Sequence, residues 1–258
     1  MDKFRVIELF GGIGACSAAL KKVFRERERE RQVEIVDYVE IDKYAVQSFN
    51  AINGTNFEPQ DIINWNKKVK DIDLIMHGSP CQDVSIAGKN AGANKDSGTR
   101  SSLLYESLRI IKDIKPKYVV WENVKNLLSK QHRHNFDNYL MEMTKLGYYN
   151  FYQVLNAADY GVPQHRERVF TISIRKDLNQ SFEFPKKQEL ELELKDILET
   201  KVDEKYFLSD KLIKCFSSKG TGNYPRDERF KDSINCKVGK CVTTKAGSRP
   251  TDNFIKEC

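Results

Sequence analysis

The stretch ELFGGIGACSAAL, residues 8–20, joins an apolar run to a helix-like segment through three closely spaced glycines. The run before it, KFRVIELF (3–10), predicts a buried strand, and the residues after it predict an amphipathic helix. Gly12 and Gly14 allow the backbone to turn tightly and to approach a ligand closely. Since a helix that begins directly after such a turn offers free N–H groups, this stretch indicates a site for a nucleotide-like cofactor.

The alternation of strand and helix continues along the chain with short turns. Further strands are predicted at 34–42, 71–78, 117–124, 149–157 and 168–175, and further helices at 43–52, 103–114 and 136–148. This order predicts an α/β fold with a doubly wound, mostly parallel sheet. Because the pattern fades after Pro185, we divide the chain into a domain at 1–185 and a C-terminal region at 186–258.

The composition is that of a mildly basic globular protein. The 258 residues carry a net charge of +6, and residues 211–258 hold 11 basic against 5 acidic side chains, which permits a nucleic-acid partner. No apolar run approaches the roughly 18–20 residues of a membrane helix. The six cysteines are scattered without a Cys-x-x-Cys pair, so we expect no metal site and a reduced, cytoplasmic setting.

An acidic residue ends the second predicted strand, where a carboxylate can accept hydrogen bonds from ribose hydroxyls. That residue is Glu40, and together with the glycine turn it favours a nucleotide cofactor over a plain tight turn. Ser17 stands where the dinucleotide fingerprint has its third glycine. The missing third glycine therefore favours S-adenosylmethionine over NAD, although the rest of the pattern fits both cofactors.

A cysteine follows the third predicted strand in GSPCQDVSIAG (78–88). Ligands of open α/β sheets bind beyond the carboxyl ends of the strands, so Cys81 should lie near the cofactor turn, as should Glu122 near the carboxyl end of the fourth strand. A lone cysteine is often a small core residue. Residues 81–102, however, offer little to bury, and so long a loop in a compact domain is usually functional.

Five blocks in this order resemble the cytosine-C5 DNA methyltransferases. They are ELFGGIGACSAAL, VEIDKYAVQSFN, GSPCQDVSIAG, WENVKNLL and QHRERVF, and DSGTRSSLLYE also matches the segment after the cysteine loop. The resemblance is continuous over roughly residues 3–176 and weaker around CVTTKAGSRPTDNF. It implies a Rossmann-like methyltransferase fold, S-adenosylmethionine as methyl donor and double-stranded DNA as partner.

The resemblance also implies a role for each matching residue. Cys81 would attack C6 of a flipped-out cytosine, Glu122 would act at ring N3, and Arg166, supported by Arg168, would hold ring O2. Cofactor binding is expected of Phe10, Gly12, Gly14, Glu40 and Asp61, with Glu40 on the ribose and Asp61 on the adenine amino group. Substrate binding is expected of Gln82, Ser85, Arg100 and Gln164, with Arg100 near a phosphate.

The chain departs from the family pattern at its C-terminal end. Family members continue through a target-recognition domain to blocks with Arg-Glu-Cys and Gly-Asn-Ser, which this sequence lacks. We therefore expect residues 186–258 to be a linker and an incomplete recognition region. A truncated chain or one half of a split bacterial or phage enzyme is then expected, with a C-terminal segment or subunit as partner. Alternatives are a tRNA cytosine-C5 methyltransferase, a cofactor-binding regulatory partner and a nicotinamide oxidoreductase.

Overall fold

The computed structural model describes residues 3–26, 32–80, 103–218, 227, 230, 234–242, 249–250 and 252–255. The chain divides into two compact units. The first unit comprises Met1–Val154 and Arg168–Phe184, and the second comprises Leu155–Glu167 and Pro185–Cys258. The sequence division at residue 185 did not assign 155–167 to the second unit.

In the described ranges the strands are β1 (Phe4–Leu9), β2 (Val33–Val39), β3 (Leu74–His77), β4 (Tyr118–Val124), β5 (Tyr148–Asn156), β6 (Gln164–His165), β7 (Glu167–Arg175) and β8 (Gly239–Lys240). The α-helices are α1 (Ala15–Glu26), α2 (Lys43–Asn53), α3 (Leu104–Ile114), α4 (Arg133–Lys145) and α5 (Asp210–Ser217). None of these helices is long and apolar enough to cross a membrane.

The first unit is built on a six-stranded sheet with the order β2-β1-β3-β4-β7-β5 among the described residues. Strand β1 pairs in parallel with β2 and β3, and β3 pairs in parallel with β4. Strand β7 runs antiparallel to β4. The predicted doubly wound, mostly parallel sheet is therefore confirmed, and its order reverses beside β1, where ligands of such sheets bind.

Apolar side chains cover both faces of this sheet because successive residues of a strand point to opposite sides. Val6 packs with Leu20 and Cys16 of α1 in one cluster. Its neighbour Ile7 belongs to the large cluster that includes buried residues of α3 and α4, among them Ile111 and Tyr139. Glu8 follows the parity of Val6, so its side chain points to the α1 face.

The second unit is held together by a short parallel pair and an aromatic cluster. Gln164 pairs with Gly239 and His165 with Lys240, which joins 155–167 to a distant part of the chain. The N–H of Gln188 donates to the carbonyl of Asp159 (2.8 Å). The rings of Phe216, Phe230 and Phe254 lie 5.3–5.9 Å apart, beside a cavity of about 610 Å³.

Asp37 fixes the segment that follows α2 against β2. It is 1% exposed, and its carboxylate accepts from the indole N–H of Trp65 (2.7 Å) and the amide of Gln60 (3.0 Å). Lys67 lies 2.9 Å away and supplies the compensating charge that a buried carboxylate requires. On the other side, the guanidinium of Arg109 donates to the carbonyls of Ile62 and Trp65 (both 2.9 Å). The segment 60–67 is therefore clamped by charged groups.

We expect Asp37→Asn to lower the free energy of unfolding by about 2–3 kcal/mol, because a buried, charge-assisted set of hydrogen bonds is lost. Urea denaturation of both forms measures this. The control is Asp137→Asn, which removes a helical ion pair with Arg133 (2.8 Å) that is open to solvent on both sides. Since exposed pairs contribute little, the control should change stability only slightly. Equal losses in both variants would contradict the role given to Asp37.

Candidate functional site

The turn between β1 and α1 holds three residues in the left-handed region of backbone space. Phe10 has φ 55°, Gly12 has φ 53° and Gly14 has φ 87°. The N–H of Phe10 donates to the carbonyl of Val39 (2.8 Å), so the turn begins beside the end of β2. A left-handed conformation is costly for a residue with a side chain. Phe10 adopts this left-handed conformation at the point where the chain leaves the sheet.

The glycines of this turn meet different surroundings. A Cβ at Gly14 would lie 2.5 Å from the ring of Phe49, so only glycine fits there. A Cβ at Gly12 would meet nothing within 4 Å, which means that the surface over Gly12 is open among the described residues. The hydroxyl of Tyr38 donates to the carbonyl of Gly12 and holds the turn from below.

Glu40 is tied to the same turn through its carboxylate. Its Oε2 accepts from the N–H of Gly12 (3.1 Å), and its Oε1 accepts from the N–H groups of Ile41 (2.8 Å) and Asp42 (2.9 Å). These bonds fix the side chain beside the glycines. Since a carboxylate offers about four lone-pair sites, acceptor capacity remains for hydroxyl groups of a ligand.

Asp61 is brought to this edge by the backbone of its neighbour. The N–H of Gln60 donates to the carbonyl of Glu40 (2.8 Å), and Asp61 then caps a short 3-10 helix by accepting from the N–H of Ile63 (3.0 Å). The predicted cofactor residues Phe10, Gly12, Gly14, Glu40 and Asp61 therefore lie in segments joined by hydrogen bonds or backbone continuity at the carboxyl ends of β1 and β2.

The exit from β3 is fixed by the next strand. The indole N–H of Trp121 donates to Oγ of Ser79 (3.1 Å), and the amide of Asn123 donates to the carbonyl of Ser79 (3.2 Å). These contacts set the direction of the chain up to Pro80. The predicted residues Cys81, Gln82, Ser85 and Arg100 lie outside the described residues.

Glu122 points to the opposite face of β4 from Trp121 and Asn123. Its Oε1 lies 3.0 Å from Nε of Arg168, and both side chains are less than one third exposed. A Cβ at Gly78 would lie 3.7 Å from Oε2 of Glu122, so the carboxylate stands over the glycine that precedes Ser79. The structure thus joins two of the predicted catalytic residues, Glu122 and Arg168, in one ion pair beside the end of β3.

Gln164 and Arg166 belong to the second unit. The N–H of Arg166 donates to the side-chain oxygen of Asn156 (2.9 Å), and its guanidinium donates to Sγ of Cys241 (3.5 Å). Gln164 is in β6, paired with Gly239. Within this unit the two residues are therefore held by the short strand pair and by Asn156.

Sequence reasoning missed a buried acid below the cofactor turn. Glu8 is 2% exposed and accepts a hydrogen bond from the hydroxyl of Ser17, which is itself fully buried. Burial raises the pKa of Glu8 to about 7, although the Ser17 hydrogen bond opposes the rise. A charged residue inside the apolar run VIELF was the signal that could have found it.

Cys16, next to Ser17, lies in the first turn of α1 at this edge of the sheet. Burial raises its pKa to about 12, and the negative charges of Glu8 and Glu122 act in the same direction. Since the thiolate is the reactive form, Cys16 is a poor nucleophile at neutral pH.

The described residues contain no group of three or more His, Cys, Asp or Glu side chains that could hold a metal ion.

The model of the C-5 cytosine-specific DNA methylase family matches residues 4–253 of the chain. Type II methyltransferase M2.ScrFI of Lactococcus lactis subsp. cremoris is 50% identical over 198 residues, which are 73% of this chain and 53% of that protein. Type II methyltransferase M.HhaI of Haemophilus parahaemolyticus is 39% identical over 196 residues, or 75% and 56% of the two chains. The chain spans about half the length of these curated relatives.

Solved structures share the fold at lower sequence identity. The crystal structure of a Spodoptera frugiperda DNMT2 mutant has a TM-score of 0.70 and 22% identity, and it covers 98% of this chain and 73% of that chain. The crystal structure of S. pombe Dnmt2 methyltransferase has a TM-score of 0.67 and 18% identity, and it covers 98% of this chain and 74% of that chain. These likenesses show the fold.

We expect Gly14→Ala to destabilise the chain more than Gly12→Ala. Both substitutions place a side chain at positive φ, at a similar cost of about 1 kcal/mol. Only the alanine at 14 also meets the ring of Phe49, which adds about 1–3 kcal/mol of overpacking. The difference between the two midpoints of chemical unfolding checks this, and an equal loss would rule out the close approach at Gly14.

The raised pKa of Glu8 predicts a pH dependence of stability. The folded chain keeps this proton up to about pH 7, whereas the ordinary pKa is 4.5. The stabilising contribution is therefore complete below about pH 4.5 and is lost as the pH rises to about 7. Relative to Glu8→Gln, which does not titrate, we expect a loss of about 3 kcal/mol between pH 4.5 and 8, measured by urea denaturation. Parallel profiles for the two forms would contradict the burial of this charge.

Proposed function

Because the chain belongs to the C-5 cytosine-specific DNA methylase family, we propose that it takes part in transfer of a methyl group from S-adenosylmethionine to C5 of cytosine in double-stranded DNA. The observation that carries the proposal is the meeting of two arrangements at one sheet edge. One is the glycine turn tied to Glu40, and the other is the Glu122–Arg168 ion pair beside the exit of β3.

The residues of the turn fit the methyl donor. The open surface over Gly12 leaves room for a ligand, and Glu40 keeps acceptor capacity for a ribose hydroxyl while three backbone N–H groups hold it in place. Phe10 supplies an aromatic surface, Gly14 admits the close turn against Phe49, and Asp61 supplies a carboxylate for the adenine amino group. When bound, S-adenosylmethionine supplies an activated methyl group.

The chemistry at cytosine needs a nucleophile, because C5 alone is weakly nucleophilic. In the proposed reaction the thiolate of Cys81 forms a bond to C6, and C5 then takes the methyl group while the donor leaves as S-adenosylhomocysteine. Loss of the C5 proton to a base, for which water serves, and cleavage of the sulfur–C6 bond restore the thiolate and the aromatic ring.

Charge develops on the cytosine ring during the attack. Glu122 is proposed to act at N3, and its ion pair with Arg168 orients its carboxylate. Arg166 is proposed for ring O2 and Gln164 for the DNA side of the pocket. Their backbone attachment to Asn156 and to β8 supports a fixed arrangement within the second unit.

The target base must leave the duplex to reach Cys81. Gln82 and Ser85 are proposed for the space that it vacates, and Arg100 for its phosphate. The excess positive charge of residues 211–258 suits the DNA backbone. Since bacterial and phage DNA is modified in the bacterial cytoplasm, the proposal places the chain there.

The share of the relatives that this chain covers, about half, supports a further element of the proposal. We propose that full activity requires a segment corresponding to the remaining part of these relatives, supplied in the same chain or by a second one. Residues 1–185 are then the catalytic, cofactor-binding domain, and residues 186–258 contribute part of target recognition.

The test is transfer of tritium from labelled S-adenosylmethionine to unmodified mixed-sequence DNA, with and without the C-terminal half of M2.ScrFI added as a separate chain. We expect transfer that Cys81→Ala abolishes and Glu122→Gln reduces by about 100-fold or more, since general acid–base groups contribute 10²–10⁴-fold. The matched control is Cys215→Ala, which removes an exposed thiol of α5 and should leave the rate unchanged.

DNA containing 5-fluorocytosine gives an independent readout, because fluorine at C5 blocks the elimination step and traps the covalent adduct. An adduct with Cys215→Ala but none with Cys81→Ala is expected. Transfer to tRNA with none to DNA would favour the RNA alternative. If the chain bound the cofactor but transferred no methyl group either with or without the added C-terminal half, the alternative of a cofactor-binding regulatory partner would be favoured.

A further inference from the structure

Glu8 lies directly below the turn that is proposed to hold the methyl donor. A Cβ at Gly11 would be 3.0 Å from Cγ of Glu8, so the first glycine of the turn packs on this side chain. The hydroxyl of Ser17 donates to the Glu8 carboxylate from the first turn of α1. Glu8 thus touches both ends of the turn, where it leaves β1 and where it enters the helix.

The hydroxyl of Ser17 and the backbone N–H groups of Ser17 and Cys16 donate to the Glu8 carboxylate, but no cation among the described residues forms an ion pair with it. From α1, Lys21 gives a weak favourable contribution, and its amine is engaged with Asn53 (2.8 Å). Cys16 is on the same helix, and it also feels the charge of Glu122 from β4. On β2, the negative charge of Glu8 contributes to raising the pKa of the Tyr38 phenol. From β3, the paired residue is the neutral Met76. An ionised Glu8 therefore adds a negative charge below the turn that is compensated by hydrogen bonds but by no ion pair among the described residues.

We propose that Glu8 is a positioning residue for the cofactor turn and that this role depends on its protonation. The ionised carboxylate of Glu8 holds Ser17 in place, and binding of a positively charged methyl donor favours this ionised form. This inference rests on the proposed function. It concerns residues that the family comparison did not assign, and it acts through the turn without contact between Glu8 and the reacting atoms.

The proposal has a definite sign. S-adenosylmethionine carries a sulfonium charge, and a nearby negative charge attracts it. Below about pH 7 Glu8 holds a proton in the free chain, so binding must release that proton. The affinity for the donor should therefore rise with pH. S-adenosylhomocysteine lacks the sulfonium charge, so its affinity should depend on Glu8 ionisation much less.

The experiment is calorimetric titration of the full chain with S-adenosylmethionine from pH 6 to pH 8.5. If only the ionised form binds well, the affinity at pH 6 should be about tenfold below that at pH 8, because about one tenth of the chain is then competent. Titration in two buffers of different ionisation enthalpy should show proton release at pH 6. The donor's own amino group titrates near pH 8, so each profile is compared with that of Glu8→Gln.

In Glu8→Gln the amide oxygen can still accept from Ser17, but the group no longer titrates. We expect its donor affinity to lose the step near pH 7 and its proton release to disappear. Ser17→Ala keeps the acid and removes a hydrogen bond that lowers its pKa, so the step should move to higher pH. A purely structural role for these residues would lower stability without moving this step.

Asp73→Asn is the matched control for loss of a buried acid. Asp73 is 3% exposed and paired with Lys117 (2.7 Å) at the start of β3, which is the opposite edge of the sheet. This variant should keep the step near pH 7. If the affinity of the unsubstituted chain for S-adenosylmethionine followed the same pH profile as that of Glu8→Gln, this inference alone would be overturned. Absence of donor binding by the unsubstituted chain at every pH would overturn the proposed function together with it.

Discussion

The parallel pairing of β1 with both β2 and β3 is the constraint on which the site depends. Parallel strands end at the same edge of a sheet, so the residues after Leu9, Val39 and His77 must come together there. The chain leaves β1 through the glycine turn, and Glu40 directly follows the last residue of β2. The hydrogen bond from the N–H of Gly12 to Glu40 then joins these two segments.

Strand β7, which runs antiparallel to β4, brings Arg168 within reach of Glu122. Because β7 runs against β4, Arg168 lies opposite Val124, and residues two apart on a strand share a face. Arg168 therefore reaches Glu122 although 46 residues separate them in sequence. Trp121 and Asn123, on the other face, reach Ser79 instead. One strand thus serves two tasks, an ion pair on one side and the support of the β3 exit on the other.

The sequence was sufficient for the order of the strands and helices of the first unit, because apolar periodicity and glycine turns are local signals. Residues such as Glu40 and Glu122 could be placed at the sheet edge for the same reason, because Glu40 directly follows β2 and Glu122 lies near the end of β4. The pairing of Glu122 with Arg168 depends on register, and the inclusion of 155–167 in the second unit depends on pairing of β6 with β8, which local patterns do not contain. Glu8 and Asp37 were overlooked since an acid in an apolar run reveals its partners only after folding.

The suppressed acidity of Cys16 has a consequence for a chain proposed to hold an alkylating cofactor. A thiolate at Cys16, in the first turn of α1, would be a competing nucleophile for the methyl group of such a donor. Burial, together with Glu8 and Glu122, keeps this sulfur protonated. In a chain that holds such a donor, the carboxylates of Glu8 and Glu122 would therefore also lower the reactivity of this cysteine toward the methyl group.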